Sequence, residues 1–155
     1  MKFGKLANVD KIEFSLPPEL EESLAYLRSL TKTSPLKIYV GAPAWRRKEW
    51  KGKIYPETLK SEEFLKYYAK SYNSIELNTT HYRMPKKDEI FEWVKEVEDG
   101  FMCCPKFPQT ISHFGGLTIK EKVSEFIEII NCFGENLGLS FIQLHETFHL
   151  KDLTI

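Results

Sequence analysis

The chain has few of the features that define several common protein classes. Only three of its 155 residues are cysteines, and an odd number without Cys-x-x-Cys spacing excludes a disulfide framework or a zinc knuckle. No segment approaches the roughly 20 apolar residues of a membrane span, and residues 1–5 begin no apolar run of the signal-peptide kind. We therefore expect a cytoplasmic protein that has no membrane partner.

Neither sign of charge is in excess. The sequence holds 22 basic and 22 acidic side chains, so its formal net charge is zero. Its net charge therefore creates no electrostatic attraction toward nucleic acid or an anionic membrane. Any such affinity would have to come from a local patch of basic residues. The composition is 42% hydrophobic and 14% aromatic, which supplies a core for one globular domain.

Segments rich in β-forming residues alternate with helix-patterned segments along most of the chain. The segments with the composition of strands are 37–41, 73–78, 101–106 and 139–144. Apolar residues at helical spacing lie between them, and Ser61 and a Thr118–Glu121 capping box mark two helix starts. Strands joined by helical crossovers predict an α/β domain with a parallel sheet. We assign that domain to residues 37–155 and treat residues 1–36 as an N-terminal extension with a helix.

The loop after the first predicted strand carries no phosphate-binding fingerprint. Neither Gly-x-Gly-x-x-Gly nor Gly-Lys-Ser/Thr occurs there, which argues against a Rossmann-type nucleotide site. Polar residues at the ends of successive strands fit a parallel (β/α) TIM-barrel-like fold better. Such a barrel needs about 250 residues and eight strands, so a chain with about four strands holds only the first half. We expect a fragment of a longer domain, and the alternative is a half-barrel that is completed by self-association with another copy.

The most informative segment is 73–83, which reads Asn-Ser-Ile-Glu-Leu-Asn-Thr-Thr-His-Tyr-Arg. A strand here would turn Glu76 and Asn78 to the same face, and both residue types are depleted in strands. A carboxylate that points into a protein needs hydrogen bonds or a cation. The segment therefore predicts a strand that ends in a functional site.

This segment and the motifs around it carry a family resemblance. The shared motifs are Val40-Gly41, Trp50-Lys51-Gly52, Tyr55-Pro56, Glu76-Leu77-Asn78-Thr79-Thr80, Tyr82-Arg83, Gly100-Phe101, Ile111-Ser112-His113 and Gln143-Leu144. With them the chain resembles the YecE-like family, also known as domain of unknown function 72, whose members look like TIM barrels. His81 and His145 depart from the family pattern, which usually has Phe at the first position and often has Pro at the second. The resemblance implies a fold but no reaction, because the family is named for an unknown activity.

In a parallel barrel, the side chains at the carboxyl ends of the strands meet at one mouth. We predict Glu76, Lys106 and His113 as catalytic residues. Glu76 could act as a general base or anchor Lys106, and Lys106 could neutralise an anionic oxygen or form a Schiff base. The predicted substrate-binding residues are Trp45, Asn78, Tyr82, Arg83, Gln143 and His145.

Several of these residues also have a structural interpretation. A Glu76–Lys106 salt bridge could fill the barrel interior without catalysing anything, and Asn78 could cap its strand. Glu76, His113 and His145 are chemically suited to a divalent metal. However, no two of them have the i, i+3 or i, i+4 spacing of helical metal ligands. Neither a metal nor another cofactor is predicted.

The sequence therefore predicts an enzyme that moves protons on a small polar or anionic substrate. A sugar or sugar phosphate fits, in the manner of a sugar isomerase or a hydrolase. The alternative is a non-catalytic binding module, in which the aromatic and basic loop 45–55 contacts single-stranded nucleic acid. The zero net charge argues against a nucleic-acid partner.

Overall fold

The computed structural model describes Glu13, Ser15 and residues 18–30, 35–113 and 120–149. The chain divides into two compact units, residues 1–37 and residues 38–155. The first contains α1, Glu21–Ser29, whose first turn is acidic and whose Arg28 contacts Glu21 at 3.0 Å. None of the helices in the described residues has both the length and the apolarity that crossing a bilayer requires.

The second unit is built on a parallel sheet. Its strands are β1, Gly41–Ala42; β2, Ser74–Leu77; and β3, Met102–Pro105. They pair in the order β1-β2-β3, with both pairings parallel, and Glu76 lies opposite Cys104. This confirms the prediction of a mixed α/β domain with parallel strands.

Helices connect the strands. They are α2, Phe64–Tyr68; α3, Thr79–Tyr82; α4, Lys87–Lys95; α5, Gln109–Ser112; and α6, Lys120–Ile130, with 3₁₀ turns at Lys48–Trp50, Ser61–Glu63 and Asn131–Asn136. The predicted cap at Ser61 is wrong, because Ser61 lies inside a 3₁₀ turn and the Glu63 carboxylate accepts the Lys60 backbone N–H at 3.2 Å instead. Residues 118 and 119 of the predicted Thr118–Glu121 capping box lie outside the described residues.

The first strand is shorter than predicted and begins later. The sequence predicts a strand over 37–41, whereas the ladder holds only Gly41–Ala42. Upstream, the Asn73 side chain takes the place of a partner strand: its Oδ1 accepts the Val40 N–H at 2.7 Å, and its Nδ2 donates to Ile38 O at 2.9 Å. The backbone at 38–40 is therefore held by the Asn73 side-chain amide and by the Asn73 backbone N–H, which donates to Val40 O at 3.2 Å, without a continuous ladder.

The fourth predicted strand, 139–144, does not form a regular strand. Single parallel bridges join Cys103 to Leu137 and Lys106 to Phe141. Gly138 donates to Cys103 O at 2.7 Å, a close approach at which a Cβ would lie 2.7 Å from Cys104 Sγ. We call residues 137–145 the fourth segment, since it follows β3 in parallel without a continuous ladder.

The two sheet faces differ in burial. Ile75, Leu77 and Cys103 point into the core, with 1%, 1% and 4% of their surface exposed. Glu76 and Cys104 alternate with them on the opposite face, where Glu76 is exposed and Cys104 is half-buried. This alternation places the Glu76 carboxylate outside the core, near the carboxyl end of β2.

Tyr68 fastens the start of the sheet. Its hydroxyl accepts the Ala42 N–H at 2.6 Å and donates to Ser74 O at 2.9 Å, so one side chain ties β1 to β2. Its ring is fully buried, and burial raises the pKa of Tyr68 to about 12. The phenol therefore stays protonated and keeps its donor.

Candidate functional site

The carboxyl end of β2 presents a carboxylate held by an amide. Asn78 follows the strand in a helical conformation and directs its Nδ2 to Glu76 Oε1, at 2.9 Å. The same Nδ2 lies 3.5 Å from Pro43 O, in the loop after β1. Asn78 therefore links the ends of two neighbouring strands and orients the Glu76 side chain.

Glu76 opens into a groove of about 420 Å³ that is continuous with solvent. We call it the β2 groove; its walls include Pro43, Trp45, Glu76, Asn78, Arg83, Glu89 and Trp93. The Trp45 and Trp93 rings meet edge to face, with their centroids 5.3 Å apart. The groove thus combines an apolar indole wall with a carboxylate, an amide and a guanidinium.

The guanidinium in the β2 groove is fixed by an ion pair. Arg83 Nη1 and Nη2 donate to the two carboxylate oxygens of Glu89, at 2.7 and 2.9 Å. These bonds, with the Lys86 backbone N–H, lower the pKa of Glu89 to about 2. Glu89 therefore stays ionised and holds Arg83 in one orientation.

A second cluster follows β3. Lys106 Nζ donates to Gln143 Oε1 at 2.6 Å, which joins the end of β3 to the fourth segment. The Thr80 hydroxyl lies 2.7 Å from Lys106 O and 2.8 Å from Leu77 O, so α3 is fixed to the ends of β2 and β3. Lys106 is half-buried, and its ammonium lies 5.8 Å from the centre of the Phe141 ring.

Three imidazoles stand next to one another in this cluster. The ring centres of His81 and His113 are 5.0 Å apart, and those of His113 and His145 are 5.1 Å apart. We call these three rings the imidazole row. Each belongs to a different element: His81 to α3, His113 to the turn after α5, and His145 to the fourth segment.

The position of His113 disfavours its protonation. Burial lowers the pKa of His113, and the neighbouring His81, His145 and Lys106 lower it further. Each of these neighbours is cationic or becomes cationic on protonation. A positive charge on His113 is therefore repelled by the charges around it. His113 is therefore a neutral imidazole at neutral pH, able to accept a proton when that charge is compensated.

The predicted residues thus fall into two clusters at the same edge of the sheet. Trp45, Glu76, Asn78 and Arg83 line the β2 groove, while Lys106, His113, Gln143 and His145 belong to the second cluster. Tyr82 is 73% exposed, and its ring packs edge to face on His81 with 5.0 Å between centroids. Among the ion pairs of the described residues, Glu76 and Lys106 are not joined, so the salt bridge considered above does not form.

His81 is the residue that sequence reasoning missed. It is 6% exposed, and its Nδ1 lies 2.8 Å from Phe107 O. The only sign of this burial in the sequence is the position of His81, between Thr80 and Tyr82, at which the YecE-like family usually has Phe.

No metal centre is formed in the described part of the chain. No group of three or more His, Cys, Asp or Glu side chains there could hold an ion. His145 and His149 do have i, i+4 spacing, but the residues between them form no helix that would turn both to one face. The thiols are also poorly suited, since burial raises the pKa of Cys103 to about 12.

The aromatic and basic loop offers little surface for stacking bases. Trp45 is only 7% exposed, and Trp50 lies parallel to Tyr68, with 6.3 Å between ring centroids. Base stacking on single strands needs exposed ring faces. The packing of both tryptophans therefore does not favour the nucleic-acid alternative.

Comparison with known proteins gives the same family from sequence and from structure. Residues 39–154 match the family described as "Protein of unknown function DUF72". The UPF0759 protein YecE of Escherichia coli K12 is 33% identical over 117 residues, which cover 75% of this chain and 40% of that protein. The YecE protein of Escherichia coli O157:H7 matches equally. The chain thus spans about 40% of the length of these curated relatives.

Two crystal structures of DUF72 family proteins share the fold. The protein from Thermotoga maritima MSB8 has a TM-score of 0.63 and 28% identity, with 74% of this chain and 47% of that chain covered. The protein from Enterococcus faecalis V583 has a TM-score of 0.59 and 24% identity, with 75% and 43% covered. The family match over three quarters of the chain, together with these structures, shows that the chain belongs to the YecE-like DUF72 family.

Proposed function

We propose that the carboxyl edge of the sheet binds a small polar or anionic molecule, such as a sugar or sugar phosphate. In this proposal Glu76 transfers a proton to or from the bound molecule. The supporting observation is the β2 groove, where the exposed Glu76 carboxylate stands between the Asn78 amide and an indole wall. Ligand pockets combine a largely apolar lining with a few placed polar groups in this way.

Each predicted residue has a role in this proposal. Asn78 holds Glu76 in position and leaves its second carboxylate oxygen to reach the substrate. Arg83, fixed by Glu89, and Gln143, bonded to Lys106, orient polar groups of the substrate. Lys106 stabilises negative charge that develops on an oxygen, and His113 exchanges the second proton. Trp45, Tyr82 and His145 shape the walls.

We further propose that the sheet is part of a (β/α) barrel. The fourth segment pairs with β3 and not with β1, so the order is β1-β2-β3-fourth segment. A Rossmann sheet would place the fourth strand beside the first, whereas consecutive parallel neighbours are the order of a barrel. An open cavity of about 530 Å³, lined by Glu76, Cys104 and Phe141 among others, lies over the face that would become the interior. The rest of the rim would come from four further strands, supplied by a longer chain or by another copy.

Replacing Glu76 by Gln tests the proton-transfer role. A base that removes a proton next to a carbonyl exchanges it with solvent, so the wild type should incorporate deuterium from D₂O into a member of a panel of aldose and ketose phosphates. Without the carboxylate, we expect the exchange rate to fall by about 10²- to 10⁴-fold. Proton NMR of the sugar phosphates measures the rate.

Folding and charge are controlled separately in this experiment. Glu76→Gln should keep the far-UV circular dichroism spectrum and thermal midpoint of the wild type, because Glu76 is exposed. Glu62→Gln removes an exposed carboxylate outside the β2 groove and should leave exchange unchanged. If the wild type exchanges no proton of any panel member, or if Glu76→Gln exchanges as fast as the wild type, the role of Glu76 as a base is wrong.

A further inference from the structure

The β2 groove is lined by a second guanidinium, which belongs to Arg46. Arg83 donates through both Nη atoms to Glu89, so its charge is already compensated within the protein. Arg46, in contrast, takes part in no ion pair and no side-chain hydrogen bond within the part of the chain that the structure describes. Its N–H groups are therefore available to a ligand in the groove.

The groove also holds a carboxylate that has no cation. Glu76 accepts a hydrogen bond from the neutral Asn78 amide at 2.9 Å, and it belongs to none of the ion pairs of the described residues. Arg46 and Glu76 thus line one groove without pairing with each other. A molecule that binds between them can meet a cation and a carboxylate at the same time.

The backbone on both sides of Arg46 is fixed. Trp45 O accepts the Tyr55 hydroxyl at 2.7 Å and the Arg47 N–H at 2.9 Å, and the Trp45 side chain is only 7% exposed. Arg47 O in turn accepts the Trp50 N–H at 3.1 Å. The main chain that carries Arg46 is therefore already ordered, which lowers the conformational entropy that ligand binding would cost.

Arg46 nevertheless remains in contact with solvent. Its side chain is exposed, and it also lines a neighbouring open cavity of about 540 Å³ together with Lys48 and Glu62. An anion bound to Arg46 would keep part of its hydration, and salt would screen the attraction. A guanidinium can still donate two parallel hydrogen bonds to a phosphate, which makes it selective for that group.

We propose that Arg46 recognises the phosphate group of the substrate in the β2 groove, while Glu76 acts on the sugar. This inference rests on the proposed function, because it narrows the substrate to phosphorylated sugars. Arg83 stays bonded to Glu89 and orients polar groups of the sugar. Lys106 keeps the separate role of stabilising charge that develops at the reacting oxygen.

Phosphorylated and unphosphorylated forms of the same sugars test this assignment. A ¹⁵N-labelled sample is titrated with the panel of aldose and ketose phosphates, with the matching unphosphorylated sugars and with inorganic phosphate, and the indole N–H signals of Trp45 and Trp93 give each Kd. We expect the sugar phosphates to bind about tenfold more tightly than the unphosphorylated sugars, because a charge-assisted hydrogen bond is added. Inorganic phosphate should bind more weakly than the sugar phosphates, since it lacks the sugar.

Variants of two adjacent arginines identify the residue responsible. Arg46→Gln should weaken the binding of sugar phosphates about tenfold and leave that of unphosphorylated sugars unchanged. Arg46→Lys keeps the charge without the planar fork, so it should recover only part of the loss. Arg47→Gln is the matched control, because Arg47 is also exposed but pairs with Glu49 at 3.4 Å and does not line the groove.

The binding measurement is independent of the proposed proton transfer. Glu76→Gln should bind sugar phosphates at least as tightly as the wild type, so a loss of exchange in that variant reports on the base alone. The role of Arg46 is wrong if no sugar phosphate binds, or if Arg46→Gln binds sugar phosphates as tightly as the wild type or as Arg47→Gln does. Equal affinity for inorganic phosphate and sugar phosphates would also overturn it, because the phosphate would then be bound without the sugar.

Discussion

Gly41→Ala should lower the free energy of unfolding by about 3 kcal/mol or more, because the first strand has no room for a methyl group. A Cβ at Gly41 would overlap the Ser74 carbonyl oxygen, and it would lie 2.6 Å from the Ser74 carbonyl carbon and 2.8 Å from Ser74 Oγ. Two of these obstacles, the carbonyl carbon and its oxygen, belong to the backbone of β2 and cannot rotate away. The alanine would therefore push β1 from β2, at the strand pair whose ends form the β2 groove.

Gly100→Ala is the matched control for this prediction. Gly100 has φ 81°, where an alanine is strained, but a Cβ there meets nothing within 4 Å. Its replacement should cost only about 1 kcal/mol, the conformational penalty alone. Urea unfolding followed by circular dichroism compares the two variants, and equal losses would show that β1 does not approach β2 as described.

Phe126→Ala should destabilise the protein by about 3–5 kcal/mol, since it empties the space of a large core side chain. Phe126 is 0% exposed, and its ring packs on that of Phe107 with 4.5 Å between centroids. Phe107 in turn accepts the His81 hydrogen bond and donates its N–H to Phe141 O at 2.9 Å. A cavity beneath Phe107 should therefore also loosen the first ring of the imidazole row.

Phe91→Ala provides the contrast, because Phe91 lies on α4 with 46% of its surface exposed. We expect a loss of less than about 1.5 kcal/mol there, in keeping with partial burial. Urea unfolding gives both values, and imidazole NMR of the folded Phe126→Ala protein reports on His81. If Phe126→Ala costs no more than Phe91→Ala, α6 does not contribute the core contact assigned to it.

The architecture could be predicted because it is encoded in local pattern. Alternating Ile75 and Leu77, and the helical spacing of Ile90 and Phe126 with their neighbours, specify elements whose buried faces the structure confirms. Parallel pairing followed from the helices between strands. The family could also be predicted, because its motifs are spread through residues 39–154.

Strand ends could not be predicted, because tertiary contacts decide them. The side-chain amide of Asn73 forms hydrogen bonds with the Ile38 carbonyl and the Val40 N–H. The strand preferences of the individual residues do not predict these bonds. Close approach at Gly138 similarly joins the fourth segment to β3 without requiring a ladder. β-propensity mainly reports the fit to a half-buried surface and does not reveal which backbone groups find partners elsewhere.

Strand alternation in the sequence identified the candidate site residues, but it did not predict which of them would contact one another. Alternation alone predicted that Glu76 and Lys106 would converge, whereas Asn78 turns toward Glu76 and Gln143 bonds Lys106. Side-chain partners across a sheet edge depend on rotamers and loop conformations, which the periodicity of the sequence does not describe. For the same reason the role of His81 in the row became visible only in three dimensions.

The claim that the carboxyl ends of the parallel strands form a ligand site is tested most directly by chemical-shift mapping. A ¹⁵N-labelled sample is titrated with a sugar phosphate, and every backbone and side-chain amide signal is followed. We predict the largest shifts at Asn78, Lys106 and Gln143, at the carboxyl edge. Shifts concentrated at the opposite edge, around Asn73 and Phe101, or none at all across the panel of sugar phosphates, would contradict the account.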